Sequence, residues 1–356
     1  MQRKYKILIM GASYGSLLGT KLALGGHDVT LVCLPAEVAA FNANGAIIRM
    51  PVKGIEGLVE INSKNAPGKL TAAGPADVNP KDFDLVALAM QEPQYRTAGA
   101  RELLDAVARA KVPAMSIMNM PPMPYLARLP GVDMKACRDC FADATVWDGF
   151  DPKFMTLCSP DPQAFRPPEE PVNVLQVRLP TNFKAARFES DAHTQMLRDL
   201  EASVDAVRFN HNGQQIELPV KLKVHDSVFV PLAKWAMLLA GNYRCIGDTE
   251  MRPIKDAVHA DLEQSRQIYN WVVQLCVKIG AKESDMVPFE KYAAAAQGLG
   301  SPSSAARALF GGAQFIERVD RLVQAVASQH GMRHPEVDAI VARVNSRLVL
   351  NRQKAA

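Results

Sequence analysis

The chain has 356 residues, which is too long for one ordinary hydrophobic core and favours two domains. Apolar residues make up 48% and charged residues 22%, as in globular proteins, and no apolar run is long enough to span a membrane. The net charge of +4 is small and scattered, which argues against nucleic acid and suits a small anionic ligand. We therefore expect a cytoplasmic protein with a small-molecule substrate and no nucleic-acid or membrane partner, and a homodimer is the assembly to test.

The first predicted elements are a strand, a glycine turn, a helix and a second strand. Residues 5–10 form an apolar run without alternation, which is typical of a buried parallel strand. The chain then turns, enters a helical pattern that ends at Gly25-Gly26, and continues in an apolar strand over residues 28–33. In such a βαβ unit, the backbone N–H groups at the helix N-terminus bind a dinucleotide pyrophosphate. The predicted cofactor-binding residues of this turn are Gly11, Ser13, Tyr14, Gly15 and Ser16.

The turn departs from the usual G-x-G-x-x-G pattern, and two interpretations remain open. Either Ser13 and Ser16 replace two glycines, or the loop is one residue shorter and Gly15 is its last glycine. The alternative to a cofactor site is a parallel strand whose glycines serve only tight packing. The end of the second strand, Cys33-Leu34, has no acidic residue for the ribose of NAD and no arginine for the phosphate of NADP. Those residues leave the choice between the two cofactors open.

Alternating strands and helices predict that residues 1–219 form a Rossmann-like, doubly wound parallel sheet with a β-rich extension. Residues 46–50 and 58–61 are expected to pair as a hairpin at the sheet edge. Residues 133–210, of which 133–180 are proline-rich, are expected to form a β-rich elaboration on the edge of the first domain. The other strands are predicted at residues 84–89, 112–117, 172–179 and 206–210, and the other helices at residues 35–44, 95–110 and 191–203.

Residues 220–356 are predicted to form an all-helical domain for substrate binding and dimerisation. Its first helix, over residues 225–242, is apolar except for Lys234. A buried ammonium needs a carboxylate, a cleft or a bound anion, and a desolvated lysine can deliver a proton near neutral pH. The alternative is a lysine that reaches solvent from the helix surface. The later helices are predicted at residues 254–279, 289–297, 303–310, 314–330 and 335–353.

Six cysteines are scattered along the chain, and Cys137 and Cys140 have the spacing of a metal or redox pair. No second C-x-x-C and no nearby histidine pair would complete a zinc site, and the context is unlike that of thioredoxin. We therefore predict reduced thiols and no metal site.

The order of these parts resembles the ketopantoate reductase (2-dehydropantoate 2-reductase) family, in which a Rossmann domain precedes a helical domain. Residues 10–27 are similar to the family's N-terminal fingerprint, and residues 226–242 to the helix that carries its catalytic lysine, here Lys234. The resemblance implies NAD(P)H-dependent reduction of a small 2-oxo acid to the 2-hydroxy acid, with NADP as the cofactor and NAD as the alternative. Lys234 would protonate the nascent alkoxide, and Glu317 would hold the lysine charge or a substrate hydroxyl. The other implied residues are Gln91 and Asn119 for the cofactor and Asn242, Ser303 and Ser304 for the substrate.

Three positions depart from the family's pattern. Leu34 stands where the family has an arginine for the NADP phosphate, and Gln91 replaces a lysine near the cofactor. Leu238 replaces an asparagine one helical turn after Lys234. The alternative prediction is therefore a non-catalytic nucleotide- or ligand-binding protein on the same scaffold.

Overall fold

The apolar run near the start of the chain forms strand β1 (Lys6–Met10) in the computed structural model, which describes residues 3–355. Four of its five residues are buried, because a parallel strand is covered on both faces. The other strands are β2 (Asp28–Val32), β3 (Ile47–Met50), β4 (Val59–Asn62), β5 (Leu70–Ala73), β6 (Leu85–Leu88), β7 (Ala114–Ile117), β8 (Met155–Pro160), β9 (Gln163–Phe165), β10 (Val174–Leu179), β11 (Phe183–Ala186), β12 (Phe209–His211), β13 (Gln214–Ile216) and β14 (Leu222–His225).

Helices account for most of the remaining regular structure. The α-helices are α1 (Tyr14–Leu24), α2 (Pro35–Asn44), α3 (Ala100–Ala110), α4 (Met123–Leu126), α5 (Asp191–Ala206), α6 (Ala233–Met237), α7 (Ile254–His259), α8 (Leu262–Lys278), α9 (Phe289–Ala296), α10 (Ser304–Phe310), α11 (Val319–Gln329) and α12 (Pro335–Ala355). Within residues 3–355, no helix combines the length and the apolar content that crossing a bilayer requires.

Eight strands form one sheet in the order β14-β11-β8-β7-β6-β1-β2-β5. All neighbours from β5 to β8 are parallel, and this order of six strands is that of a dinucleotide-binding Rossmann sheet. β11 is antiparallel to β8 and parallel to β14. The strand order reverses between β1 and β6, and such sheets bind ligands outside the carboxyl ends of the strands at this point. The predicted doubly wound sheet is confirmed.

The predicted hairpin of β3 and β4 forms, but its expected place at the edge of the main sheet is wrong. The two strands belong to a separate sheet in the order β4-β3-β10-β9. Residues of β3 are alternately buried and half-buried, which suits a small sheet with one covered face better than a parallel sheet covered on both. The proline-rich region is also more than an edge elaboration, since β8 pairs with β7 inside the main sheet. The strand predicted at residues 206–210 lies later, as β12, and pairs with β13.

The prediction of helices alone after residue 220 is wrong at its start. β14 is a strand, and its last residue, His225, was expected to begin a long helix. That helix instead begins with a 3₁₀ turn (Val230–Leu232), continues as α6 and a π turn (Leu238–Asn242), and ends in a second 3₁₀ turn (Tyr243–Cys245). Four residues of β14 are too few for their alternation to be distinguished from a helix start.

The chain divides into two compact units. Described residues 3–90, 94–118 and 146–228 form the first, which contains the sheets, and residues 91–93, 119–145 and 229–355 form the second. The second unit is helical. Its long predicted helix at residues 254–279 is two helices, because Asp261 caps α8 by accepting a hydrogen bond from Gln264 N at 2.9 Å.

Candidate active site

Two glycines with different constraints shape the turn after β1. Gly11 has a φ of 104°, and a Cβ there would lie 2.7 Å from Met90 Cγ and 2.8 Å from Ala89 O. A Cβ on Gly15 would lie 2.8 Å from Ile9 Cγ2, so this glycine allows α1 to pack closely on β1. A tight turn and close helix–strand packing are the roles of the first and last glycines of a dinucleotide-binding turn. The geometry therefore favours the shorter loop, in which Gly15 is the last glycine.

The N-terminus of α1 follows directly from this turn. Ser13 is exposed, occupies the N-cap position and makes no side-chain capping bond. Its carbonyl accepts hydrogen bonds from Ser16 N at 3.1 Å and from Ser16 Oγ at 2.9 Å. The buried Ser16 hydroxyl is thus used within the turn, whereas the Ser13 side chain leaves the positive end of the helix dipole accessible to an anion.

A carboxylate and a guanidinium lie together at the end of β2, although Cys33-Leu34 itself has no charge. Leu34 is 70% exposed, and its N–H donates to Glu37 Oε2 at 2.9 Å. The other carboxylate oxygen of Glu37 forms an ion pair with Arg166 Nη1. Burial, together with the Glu37 charge, raises the pKa of the neighbouring Cys33 thiol to about 12. Glu37 is visible in the sequence three residues after Leu34, but Arg166 is distant and gave no signal.

Residues from separate segments of the second unit surround one small cavity of about 20 Å³, large enough for one water molecule. Its lining includes five of the residues that the resemblance implied, and Leu238 is also part of it. The lining residues are Gln91, Asn119, Leu238, Asn242, Tyr243, Ser304, Ala305, Ile316 and Glu317.

Glu317 is the buried carboxyl group of this cavity, with 8% of its surface exposed. Its Oε1 accepts a hydrogen bond from Glu92 N at 3.4 Å, and its Oε2 accepts one from Asn119 Nδ2 at 3.2 Å. Burial raises the pKa of Glu317 to about 7, although these donors act in the opposite direction. Asn119 Oδ1 is buried and accepts no hydrogen bond within the described part of the chain. The cavity thus offers a carboxyl group that titrates near neutral pH and an amide oxygen without a donor.

Tyr243 and Glu92 support Glu317, and sequence reasoning missed both. The Tyr243 hydroxyl donates to Glu317 O at 2.5 Å and accepts from Val319 N at 3.0 Å. Glu92 is 1% exposed, and its carboxylate accepts a hydrogen bond from Ala142 N at 3.2 Å. These bonds connect segments far apart in sequence and fix the position of the Glu317 backbone and carboxyl group.

The π turn presents two residues to the cavity, Leu238 and Asn242. Met237 O, at the residue before this turn, accepts a hydrogen bond from the Tyr292 hydroxyl at 3.0 Å. A Cβ on Gly241 would overlap that hydroxyl, so the turn needs a glycine at this position. Turns of this kind occur frequently at functional sites.

Ser303 holds the same turn from α10. Its hydroxyl donates to Asn242 O at 2.7 Å and accepts from Ala306 N at 3.1 Å as the N-cap of α10. Ser303 therefore positions Asn242, whereas the exposed Ser304 lines the cavity.

Lys234 is half-buried on α6, between the buried residues Ala233 and Trp235. It precedes Leu238 by four residues and so lies on the same face of the helix, one turn earlier. Lys234 is not among the residues that line the cavity. Its role as a proton donor stays a prediction.

Cys137 and Cys140 are buried in a 3₁₀ helix (Met134–Cys140) and are unpaired in any disulfide. The Cys137 thiol donates to Asp133 O at 3.5 Å and accepts from Gln329 Nε2 at 3.4 Å. Burial raises the pKa of both thiols, that of Cys140 to about 12, which disfavours redox reactivity. Among residues 3–355, no three His, Cys, Asp or Glu side chains are grouped as they would be around a metal ion.

No protein-family model and no curated protein matches the sequence. Solved structures do match. A 2-dehydropantoate 2-reductase from Methylococcus capsulatus is 14% identical with a TM-score of 0.66, over 97% of this chain and 97% of the other. D-mandelate dehydrogenase with NADH and anilino(oxo)acetate is 14% identical with a TM-score of 0.63, over 98% and 99% of the two chains. A dimeric ketopantoate reductase from Staphylococcus aureus is 12% identical with a TM-score of 0.60, over 97% and 99%. The predicted resemblance is confirmed at the level of the fold: the chain has the fold of the ketopantoate reductases.

Proposed function

We propose that this protein is a diverged member of the ketopantoate reductase family that uses NAD(P)H to reduce a small 2-oxo acid to the 2-hydroxy acid. The observation that carries the proposal is the convergence of four polar side chains, Asn119, Asn242, Ser304 and Glu317, and not the volume of the water-sized cavity that they line. A packing role does not explain Asn119 Oδ1, a buried amide oxygen that accepts no hydrogen bond within residues 3–355, because buried polar atoms without partners are costly. The low-identity neighbours that are described as reductases and dehydrogenases support the same reaction class.

The residues present fit a dinucleotide cofactor. The close approach at Gly11, the tight packing at Gly15 and the N-terminus of α1 suit a pyrophosphate, with Ser13, Tyr14 and Ser16 completing the turn. Asn119 Oδ1 suits an N–H donor such as the nicotinamide carboxamide, and Gln91 lies on the same cavity. When bound, the reduced nicotinamide supplies the hydride that adds to the carbonyl carbon of the substrate.

The helical unit supplies the acid and the substrate contacts. Lys234 Nζ gives a proton to the carbonyl oxygen as that oxygen becomes an alkoxide, so an N–H bond breaks while an O–H bond forms. Asn242 and Ser304 donate hydrogen bonds to the substrate, and Ser303 keeps Asn242 in place. Glu317 accepts a hydrogen bond from a substrate hydroxyl or compensates the lysine charge.

NADP is the proposed cofactor, with only a shallow preference over NAD. Leu34 has no charge, and Arg166 is already paired with Glu37, so a 2′-phosphate at the end of β2 would meet a guanidinium whose charge is partly neutralised. A homodimer belongs to the same proposal, because the Staphylococcus aureus enzyme is described as dimeric.

A non-catalytic binding protein is the second candidate. Leu238 favours it, because an apolar side chain at the cavity cannot hydrogen-bond a substrate. This candidate binds a nucleotide or another small ligand on the same scaffold without turnover.

Fluorescence titration of the purified protein with NADPH and NADH tests the proposal, followed by an assay of NADPH oxidation with a panel of 2-oxo acids. The proposal expects saturable binding of at least one cofactor and oxidation that depends on the oxo acid. Binding without oxidation would favour the non-catalytic candidate. No affinity for either cofactor at millimolar concentration would contradict the oxidoreductase.

A further inference from the structure

A second and larger cavity lies in the helical unit, beside the loop between the π turn and α7. Its volume is about 340 Å³, within the range of roughly 300–1,000 Å³ that is typical of small-molecule sites. Three of its eight lining residues are arginines. The lining residues are Arg244, Ile246, Gly247, Asp248, Thr249, Glu250, Arg252 and Arg343.

Arg244 is the buried cation of this arginine pocket, with 6% of its surface exposed. Its guanidinium donates to three neutral oxygens, namely Ser265 Oγ, Ala240 O at 3.3 Å and Gln264 Oε1 at 2.5 Å. Asp261 and Glu336 act on it through space, and neither is among these hydrogen-bond partners. Buried charges in proteins are normally paired, so this guanidinium calls for an anion.

The charges around Arg244 do not remove this need. Burial, and then the neighbouring Arg252, lowers the pKa of Arg244, while Asp261 and Glu336 act more weakly in the opposite direction. The balance therefore leaves the buried guanidinium without full compensation.

Arg252 and Arg343 bring two further guanidinium groups to the pocket through their Nε atoms. Arg252 Nε donates to Arg244 O at 2.9 Å, and Arg343 Nε donates to Asp248 Oδ1 at 3.0 Å. These bonds orient the two side chains and use one donor of each, so their terminal nitrogens can form bidentate contacts with an oxyanion. Against the three arginines, the lining contains two carboxylates, Asp248 and Glu250, and both residues are exposed.

We propose that the arginine pocket binds a small oxyanion with at least two negative charges, a phosphate ester or a di- or tricarboxylate. Guanidinium groups recognise the planar edge of a carboxylate or a face of a phosphate. Arg343 is already paired with Asp248, so Arg244 and Arg252 are the two guanidinium groups whose charge a doubly charged ligand would meet. The volume leaves room, beyond one phosphate group, for a further organic part or a second anionic group. This site is separate from the oxo-acid cavity, because the two linings share no residue.

Calorimetric titration of the full chain with inorganic pyrophosphate and with citrate tests the proposal, at a constant ionic strength of about 0.15 M. Arg252→Gln and Arg343→Gln remove one guanidinium each from the open side of the pocket. Arg244 is left intact, because replacing a buried arginine could unfold the unit. Arg333→Gln is the matched control, since Arg333 is an exposed arginine of the same unit that pairs with Asp338 and does not line the pocket.

The proposal expects saturable binding of at least one anion. Its affinity should fall about tenfold or more in each pocket variant and stay within about twofold of wild type in Arg333→Gln. Pyrophosphate binding alone would identify a phosphate site, and citrate binding alone a polycarboxylate site. The pyrophosphate could also bind at the turn after β1, but the pocket variants leave that turn unchanged, and their NADPH titration should match that of wild type. Absence of saturable binding, or equal binding by wild type and the Arg252→Gln, Arg343→Gln double variant, would overturn the proposal.

Discussion

Lys234 is the residue on which the proposed chemistry depends most. If it delivers the proton to the alkoxide, Lys234→Ala should lower kcat by at least about a hundredfold and leave the dissociation constant of NADPH nearly unchanged. Lys234→Arg should not restore the rate, because a guanidinium stays protonated at neutral pH and has a different shape. Steady-state kinetics and NADPH titration of the same preparations measure both quantities.

The matched control for Lys234 is Lys291→Ala, which removes an exposed lysine from a helix of the same unit. It should keep the activity of wild type. An active Lys234→Ala with an altered melting temperature would make Lys234 a packing residue, and the mechanism would need another acid.

Glu317 predicts a pH dependence of stability whose sign follows from burial. Its pKa is raised from the ordinary 4.5 to about 7 in the folded protein. Below about pH 4.5 the carboxyl group is protonated in both the folded and the unfolded state. Between that pH and about 7 it ionises only in the unfolded state, so the free energy of unfolding falls by up to about 3 kcal/mol. Above about pH 7 the carboxyl group is ionised in both states, and the free energy of unfolding no longer changes through this group. Glu317→Gln has no such loss, so its stability relative to wild type should be more favourable at pH 8 than at pH 5.

Urea unfolding of wild type and Glu317→Gln at the two pH values measures this change. The difference between the pH values cancels any constant effect of the amide on hydrogen bonding. A relative stability that is the same at pH 5 and pH 8 would mean that the carboxyl group of Glu317 ionises normally.

At the scale of elements, the π turn depends on the fit between Gly241 and Tyr292. Gly241→Ala should lower the free energy of unfolding by about 1–3 kcal/mol, because the new methyl group overlaps the Tyr292 hydroxyl and displaces it from Met237 O. Tyr292→Phe removes the overlapping atom, so the double variant should cost about 1 kcal/mol less than the sum of the two single variants. Gly300→Ala is the control, since a Cβ there meets no atom within 4 Å. Strict additivity in urea unfolding would show that the two residues do not constrain each other.

The end of β2 makes a second prediction at this scale, about cofactor choice. Glu37→Gln should raise the affinity for NADPH relative to NADH by roughly fivefold, because it releases the charge of Arg166 while the amide oxygen can still accept the Leu34 N–H. Glu60→Gln is the control, since Glu60 pairs with Arg49 in the separate sheet. Titrations with both cofactors give the ratio. An unchanged ratio would place the adenosine ribose away from Glu37 and Arg166.

The elements that the sequence predicted well are those whose burial is uniform. β6 is apolar throughout, and β1 and β7 depart from this only at the exposed Lys6 and the buried Ser116, because a central parallel strand is covered on both faces. β14 was missed because it has four residues at the edge of the sheet, where only one neighbour, β11, supports it. The π turn has no sequence signature except Gly241. This position must be a glycine because a Cβ would overlap the hydroxyl of Tyr292, which lies 51 positions further along the chain.

Dependence on partners that are distant in sequence also limits what the sequence can say about the site. The turn residues Gly11 and Gly15 are local to one βαβ unit and could be read directly, whereas the oxo-acid residues came only from the family resemblance. Glu317 is held by a backbone N–H 225 positions away, and Glu37 is paired with a side chain 129 positions away. No periodicity relates such partners, because tertiary packing alone brings them together.

At the scale of the whole molecule, ligand binding and folding are linked through the unit that contains the turn after β1. NADPH at a hundredfold excess over its dissociation constant should raise the free energy of unfolding of that unit by about 2.7 kcal/mol, since it binds the folded state only. Scanning calorimetry with and without NADPH measures the shift. Gly15→Leu should lose most of it, because the leucine would collide with Ile9 and move α1, whose N-terminus is the proposed pyrophosphate site. Gly149→Leu is the control in the same unit: Gly149 is exposed, and a Cβ there makes only an ordinary contact of 3.5 Å with Ala108. Each variant is compared with itself in the absence of NADPH, so its own change in stability cancels. A shift in Gly15→Leu as large as that of wild type would place the cofactor elsewhere on the chain.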